Sequence, residues 1–167
     1  MSHSLTKIWL HVVFGTKLRR PFIDENLEEK LYVHLRDQLE QDFGCTVRSL
    51  GGMADHVHIL FQLNPNFAVK DIVKNIKGES SHWVNQKNLT MSNFVWQTGY
   101  GAFSVSESKI EVVESYIRNQ KQHHKRKTFV EEYEEFIKKH GLSFHAETAE
   151  VVDFRGGKDF LDTNSRR

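Results

Sequence analysis

An α+β fold built on an antiparallel sheet is what this sequence predicts, and three observations predict it. Apolar residues alternate with period two over residues 8–14 and again over 56–63. They recur at helical spacing over residues 27–39 and 69–83. Along the chain these patterns follow one another as strand, helix, strand, strand, helix, strand, the order of a ferredoxin-like split βαβ unit, the topology also used by RNA-recognition domains.

The first strand carries Ile8, Leu10, Val12 and Phe14 on one face and Trp9, His11 and Val13 on the other, so both faces read as covered. Asp24 can cap a helix running to about Phe43, with Leu27, Leu31, Leu35 and Leu39 as its apolar stripe and Gly44 ending it. Residues 46–50 form a short strand and residues 51–55, beginning Gly51-Gly52, a turn. The next strand puts Val57, Ile59, Phe61 and Leu63 on one face and His56, His58, Leu60 and Gln62 on the other. After Pro65, the apolar set Val69, Ile72, Val73, Ile76 and Trp83 marks a second helix that Gly78 weakens. A fourth strand falls between Val95 and Val105, broken by Gly99 and Gly101. Ser108 and Glu111 read as a capping box opening a third helix through Gln120, and towards Lys125. Thr128 and Glu131 open a fourth helix that Gly141 closes. Both sheet-packing helices are expected on one face, leaving the second face free for a site. One domain over residues 1–144 is followed by an aperiodic tail, residues 145–167, expected to be loosely held.

With 38% hydrophobic and 27% charged residues the chain has an ordinary globular composition, and 167 residues can bury a core without disulfides. The single cysteine, Cys45, reads as a small semi-buried residue. No run approaches the roughly 20 apolar residues that cross a bilayer, and the first residues lack a secretory pattern, so a cytoplasmic location is expected. The net charge of +1 conceals clusters: Lys17, Arg19 and Arg20 early, Arg118, Lys121, Lys125, Arg126 and Lys127 late, then the acidic run Glu131, Glu132, Glu134 and Glu135.

Chemistry concentrates at two places. His56 and His58, two apart on a strand, project from one face with Cα atoms about 7 Å apart. Two neutral imidazoles so placed can share a metal ion, although sheet histidines are also often simply solvated. Tyr116 and Gln120, four apart on the third helix, stand one above the other with Asn119 and His123 nearby, so that a phenol and an amide oxygen could reach one point. Spacing equally allows Tyr116 to pack beside Val113 and Ile117.

Asp55-His56-Val57-His58-Ile59-Leu60 resembles the His-hydrophobic-His motif of the HUH nuclease superfamily. The stretch Trp96-Gln97-Thr98-Gly99-Tyr100-Gly101-Ala102-Phe103-Ser104-Val105-Ser106, then Tyr116-Ile117-Arg118-Asn119-Gln120 and His123-His124, resembles the single-tyrosine transposases of very small bacterial and archaeal insertion sequences. The opening His11-Val12-Val13-Phe14-Gly15-Thr16-Lys17, with Arg19-Arg20-Pro21, agrees, and the likeness spans residues 5–140.

The resemblance implies that His56, His58 and Gln120 hold a divalent ion, Mg²⁺ or Mn²⁺, and that Tyr116 is the nucleophile. It implies cleavage and rejoining of single-stranded DNA through a 5′-phosphotyrosine with a free 3′-OH. It also implies recognition of hairpin ends and a homodimer whose sites pair the histidines of one subunit with the tyrosine helix of the other. A phenol, ordinarily of pKa about 10, must lose its proton as it attacks, with Lys121 or a metal-bound water as candidates to assist. Lys17, Arg19, Arg20, Lys70, Lys74, Lys77 and Lys121 are candidate DNA contacts, because Lys and Arg supply the nonspecific part of DNA affinity; each can equally be ordinary solvated charge. Bound to DNA, such a protein would sit at the nucleoid. The competing expectations are a domesticated relative that processes repeated chromosomal palindromes, a non-catalytic single-stranded nucleic-acid-binding module, and a hydrolase of small phosphoesters in which Tyr116 is structural.

Overall fold

The computed structural model describes residues 4–123 and 125–139. Gly141 and the tail at 145–167 lie outside them. Strands β1 (Trp9–Gly15), β2 (Thr46–Met53), β3 (His56–Gln62) and β4 (Gly101–Val105) form one antiparallel sheet in the order β2-β3-β1-β4. Helices α1 (Glu25–Asp37) and α2 (Val69–Gln86) connect them as a split βαβ unit, and the expected α+β, ferredoxin-like fold is borne out.

Period two decides the main core. Leu10, Val12 and Phe14 of β1 and Val57, Ile59 and Phe61 of β3 face Leu27, Leu31, Leu35 and Leu39 and the α2 residues Ile72, Val73, Ile76 and Val84. Each fully buried aliphatic or aromatic side chain contributes about 1.5–3 kcal/mol by leaving water. At the start of α1, the Asp24 carboxylate accepts from the Leu27 N–H at 2.8 Å. The helix continues through a π turn, Gln38–Asp42, so that Leu39 stays buried, and Gly44 leaves it at φ +61°.

Three local expectations change. The β2 strand runs on to Met53, so the turn is only Ala54-Asp55. The third helix is interrupted: a 3-10 turn (Glu107–Lys109) precedes α3 (Ile110–Arg118), Asn119 leaves helical geometry at φ −95°, ψ 17°, and α4 (Gln120–His123) follows. The Ser108 box does not form; the Ser108 hydroxyl meets Ser106 Oγ at 3.3 Å instead. By contrast, Glu131 accepts from the Thr128 N–H at 2.8 Å and caps α5 (Phe129–Lys139) as expected.

The second face of the sheet is not free, because α3 lies across it. Trp9 and Leu60 from the sheet pack with Ile110 and Ile117, and Val113 and Tyr116 lean on that small cluster. Gly51 makes this possible, since a Cβ there would come 2.4 Å from the Ile117 carbonyl oxygen. The segment before β4 is pinned to α2: Trp96 donates to Ser80 Oγ at 2.9 Å, and the Asn85 side chain bonds both backbone groups of Phe94 at 2.7 and 2.9 Å.

Gly78 lies on the exposed face of α2, and a Cβ there meets nothing within 4 Å. Gly78→Ala is therefore expected to stabilise the fold by about 0.5–1 kcal/mol, by lowering the entropy of the unfolded chain. Thermal unfolding should read this as a midpoint about 1–4 °C higher.

Candidate active site and metal centre

Because β1 and β3 are antiparallel, His58 stands opposite Val13 and His56 opposite Gly15. This puts His11, His56 and His58 on the face beneath α3. All three are nearly inaccessible to solvent.

The imidazoles of His56 and His58 are each held by their Nδ1 atom. His56 Nδ1 lies 2.7 Å from Asp55 Oδ1, and His58 Nδ1 lies 2.9 Å from His11 Nε2. Such outer partners select which ring nitrogen remains available to a metal. His56 Nε2 faces Gln120 Oε1 at 3.4 Å, and Gln120 Nε2 donates to Glu132 Oε1 at 3.0 Å. Ligand atoms of His56, His58 and Glu132 lie within 4.8 Å of one another. The cluster can hold a metal ion: two imidazole nitrogens, one carboxylate oxygen and an adjacent amide oxygen suit a borderline or hard divalent cation. Burial pushes the Glu132 carboxyl up to about 7, and the charge of Glu135 acts in the same direction.

Asp55 is itself held from the other side. Arg19 donates to Asp55 Oδ2 through Nε at 2.9 Å and Nη2 at 2.5 Å. Burial alone would raise this carboxyl; its bonds to His56 and Arg19 outweigh that and hold it at about 2. Leu18 and Arg19 both adopt left-handed backbone, φ +56° and +54°, a conformation costing roughly 1–2 kcal/mol per residue. The chain accepts that cost in the turn that delivers the guanidinium to Asp55. Asp55→Asn removes the charge but not the volume, so metal affinity is expected to fall about 10–100-fold, measured by calorimetric titration with Mn²⁺, with the fold retained.

Tyr116 stands beside the cluster within the same chain. Its ring lies edge-on to His58 with centroids 5.8 Å apart and to His11 at 6.3 Å. Tyr116 and Gln120 reach the same place although the break at Asn119 puts them on separate helices, α3 and α4.

The basic residues divide. Lys17 and Arg20 are exposed beside the Asp55 turn, while Arg19 is engaged there. Lys121 is ion-paired with Glu28 at 3.1 Å. Lys70 and Lys74 are exposed on α2, across the sheet from the histidines. Lys77 turns inward and donates to the carbonyls of Gln97 and Gly99 at 2.7 and 2.6 Å, with its pKa lowered to about 8 by burial. Its ammonium is thus engaged by carbonyls of the segment before β4.

Two contributors lay outside the sequence reading. Glu132 was hidden in an acidic run that reads as a solvated face. His11 was visible as a polar residue on a strand with both faces covered, and pairing the strands antiparallel would have placed it diagonally from His58.

The antiparallel sheet thus brings two imidazoles, an amide and a carboxylate together beside a phenol, a donor set that could hold a metal ion. The chain belongs to the IS200-like transposase family, whose model matches residues 4–120. It is 29% identical over 115 residues to the ISDra2 transposase TnpA of Deinococcus radiodurans, covering 66% of this chain and 81% of that one. A crystal structure described as a transposase of D. radiodurans R1 superposes with a TM-score of 0.57 at 26% identity, covering 72% of this chain and 95% of that one. The fold also matches a REP-associated tyrosine transposase bound to a REP hairpin, with a TM-score of 0.56 at 14% identity and 74% coverage of each chain. The chain is thus a transposase by family, a protein of DNA transposition. No helix among the described residues is long and apolar enough to cross a membrane.

Proposed function

We propose that the protein cleaves and rejoins single-stranded DNA with Tyr116 as nucleophile, as the enzyme of a small insertion sequence or a domesticated relative of one. The observation that carries this is the Tyr116 ring 5.8 Å from His58, inside the cluster that also holds His56, Gln120 and Glu132.

His56, His58 and Gln120, with Glu132 added by the structure, would hold a divalent ion, Mg²⁺ or Mn²⁺. When bound, the ion supplies charge neutralisation at the scissile phosphate. Asp55 and His11 keep the two imidazoles in the orientation that turns Nε2 away from their Nδ1 partners. α3 would carry the Tyr116 oxygen to the scissile phosphate for in-line attack, the positioning on which phosphoryl transfer depends. The Tyr116 hydroxyl gives up its proton as its oxygen bonds to phosphorus, the bond to the 3′ oxygen breaks, and that oxygen takes up a proton and leaves as a 3′-OH, so no net proton is gained or lost. The ester is conserved in the 5′-phosphotyrosine, so a second 3′-OH can reverse the step without any external energy source.

Lys17, Arg20 and Lys121 supply phosphate contacts near the centre, and Lys70 and Lys74 to DNA passing round the far side. A homodimer belongs to the same reading, as does action at the nucleoid in the cytoplasm, although within one chain the tyrosine helix already reaches its own histidines without exchange. The hairpin held by the REP-associated neighbour is the form of substrate to try first.

The test is incubation with hairpin-bearing single-stranded DNA and Mg²⁺ or Mn²⁺, read as a protein-DNA adduct that survives denaturation. The expected result is an adduct that EDTA prevents. DNA cut without an adduct would make the protein a hydrolase and end the proposal.

A further inference from the structure

Next to Tyr116, on the side of α5, lies a cavity of about 710 Å³ that none of the roles above uses. Its floor is sheet: His11 of β1 and Phe103 of β4, which are direct cross-strand partners with ring centroids 6.5 Å apart. One wall is the α3 face that carries Val112, Val113 and Tyr116. The opposite wall is α5, with Glu132 and Glu135. Val112 is 62% exposed at this edge, an apolar side chain with no packing role in the core clusters described above. The lining also includes Lys109, Arg126, Lys127 and Lys139, so cations outnumber carboxylates there four to two. One of the four, Lys127, is neutralised locally by Glu135.

We propose that this cavity receives one unpaired base of single-stranded DNA, that of a nucleotide adjoining the phosphate cut by Tyr116. The inference rests on the functional reading above and adds a specificity site to it. Three features select this occupant. The cavity begins at Tyr116, so a strand whose phosphate reaches the phenol must pass its neighbouring nucleotide over this opening. Its volume lies within the range of small-ligand pockets, enough for one nucleotide and too little for a duplex. Its chemistry is divided as a nucleotide is: aromatic and aliphatic surface inside for the base, ammonium and guanidinium groups outside for the phosphates on either side. Stacking on aromatic side chains tolerates any base, so discrimination would come from the base edge turned towards Ser104 and Ser106 at the β4 end.

The test uses the full chain carrying Tyr116→Phe, so that binding is read without cleavage. Each nucleotide flanking the cleavage position in a hairpin-bearing oligonucleotide is replaced in turn by an abasic residue, and Kd is measured by fluorescence anisotropy. One position should lose about 10-fold or more in affinity, the effect of removing a stacked base, with its neighbours changing little. Adding Val112→Trp, which sets an indole across the mouth at an exposed position, should make the protein indifferent to that same abasic residue. If no single abasic position weakens binding, the cavity does not hold a base, and the scan on the unblocked protein decides this alone should the tryptophan variant misfold. If the abasic penalty is unchanged by Val112→Trp, the base is held elsewhere and the proposal is overturned. A wild-type protein that forms the covalent adduct yet ignores every abasic residue sinks the pocket alone. A protein that binds no oligonucleotide sinks the pocket and the functional reading together.

Discussion

Replacing Tyr116 by phenylalanine is expected to abolish the covalent adduct entirely while leaving the protein folded and able to bind DNA. The substitution deletes one oxygen. The ring keeps its edge-on packing against His58 and His11 and its place against the Trp9, Leu60, Ile110 and Ile117 cluster. Loss of a hydroxyl hydrogen bond costs about 1 kcal/mol, too little to unfold a domain. The α3 residues that share a wall with Tyr116, Val112 and Val113, are aliphatic, and the other hydroxyl of α3, Ser115, lies off that wall and accepts from the Asn119 side chain. Gel analysis after denaturation should show no protein-DNA species for Tyr116→Phe at enzyme concentrations and times that convert the wild type. An adduct of undiminished yield would move the nucleophile elsewhere. Retained cleavage without adduct in the variant would identify a hydrolytic centre in which Tyr116 only packs.

His58→Gln is expected to lower divalent-metal affinity more than 100-fold, because even the outer partners of a metal-bound imidazole are worth about 10–100-fold. Glutamine keeps a polar side chain in a buried site, whereas alanine would also open a cavity beside His11. The cleanest readout is thermal: Mn²⁺ at about 100 times its Kd should stabilise the wild type by about 2.7 kcal/mol, and the same concentration should leave the variant's midpoint unmoved. The wild-type shift should also grow between pH 6 and pH 8. Glu132, with its carboxyl at about 7, is largely protonated at the lower pH, where proton and metal compete for one oxygen, and ionised at the higher. A variant still stabilised by Mn²⁺ as strongly as the wild type would remove His58 from the ligand set.

Most of the frame was legible because strands declare themselves by alternation. Val57, Ile59 and Phe61 against His56, His58 and Leu60 separate core from site in a single stretch of residues. The leucine stripe of α1 and the capping residues Asp24 and Thr128 were likewise readable from local chemistry. What escaped depends on contacts distant in sequence. The Ser108-Glu111 pair satisfies the capping pattern, yet a 3-10 turn takes its place, and the break at Asn119 leaves no sign in a four-residue spacing. Glu132 looks like any acid in a charged helix until α5 folds back over β3, and Lys77 looks like surface charge until the carbonyls of Gln97 and Gly99 close on it. The covering of the second sheet face turns on Gly51, a residue that reads from sequence only as a turn former.

That glycine separates two properties that usually fail together. The main hydrophobic core lies on the opposite side of the sheet and contains nothing from α3, whereas a methyl group at position 51 would press directly on the Ile117 backbone, one residue past Tyr116. A chain altered there is expected to keep that main core but to lose the seat of α3, and with it the Trp9, Leu60, Ile110 and Ile117 cluster and the placement of Tyr116 beside His58.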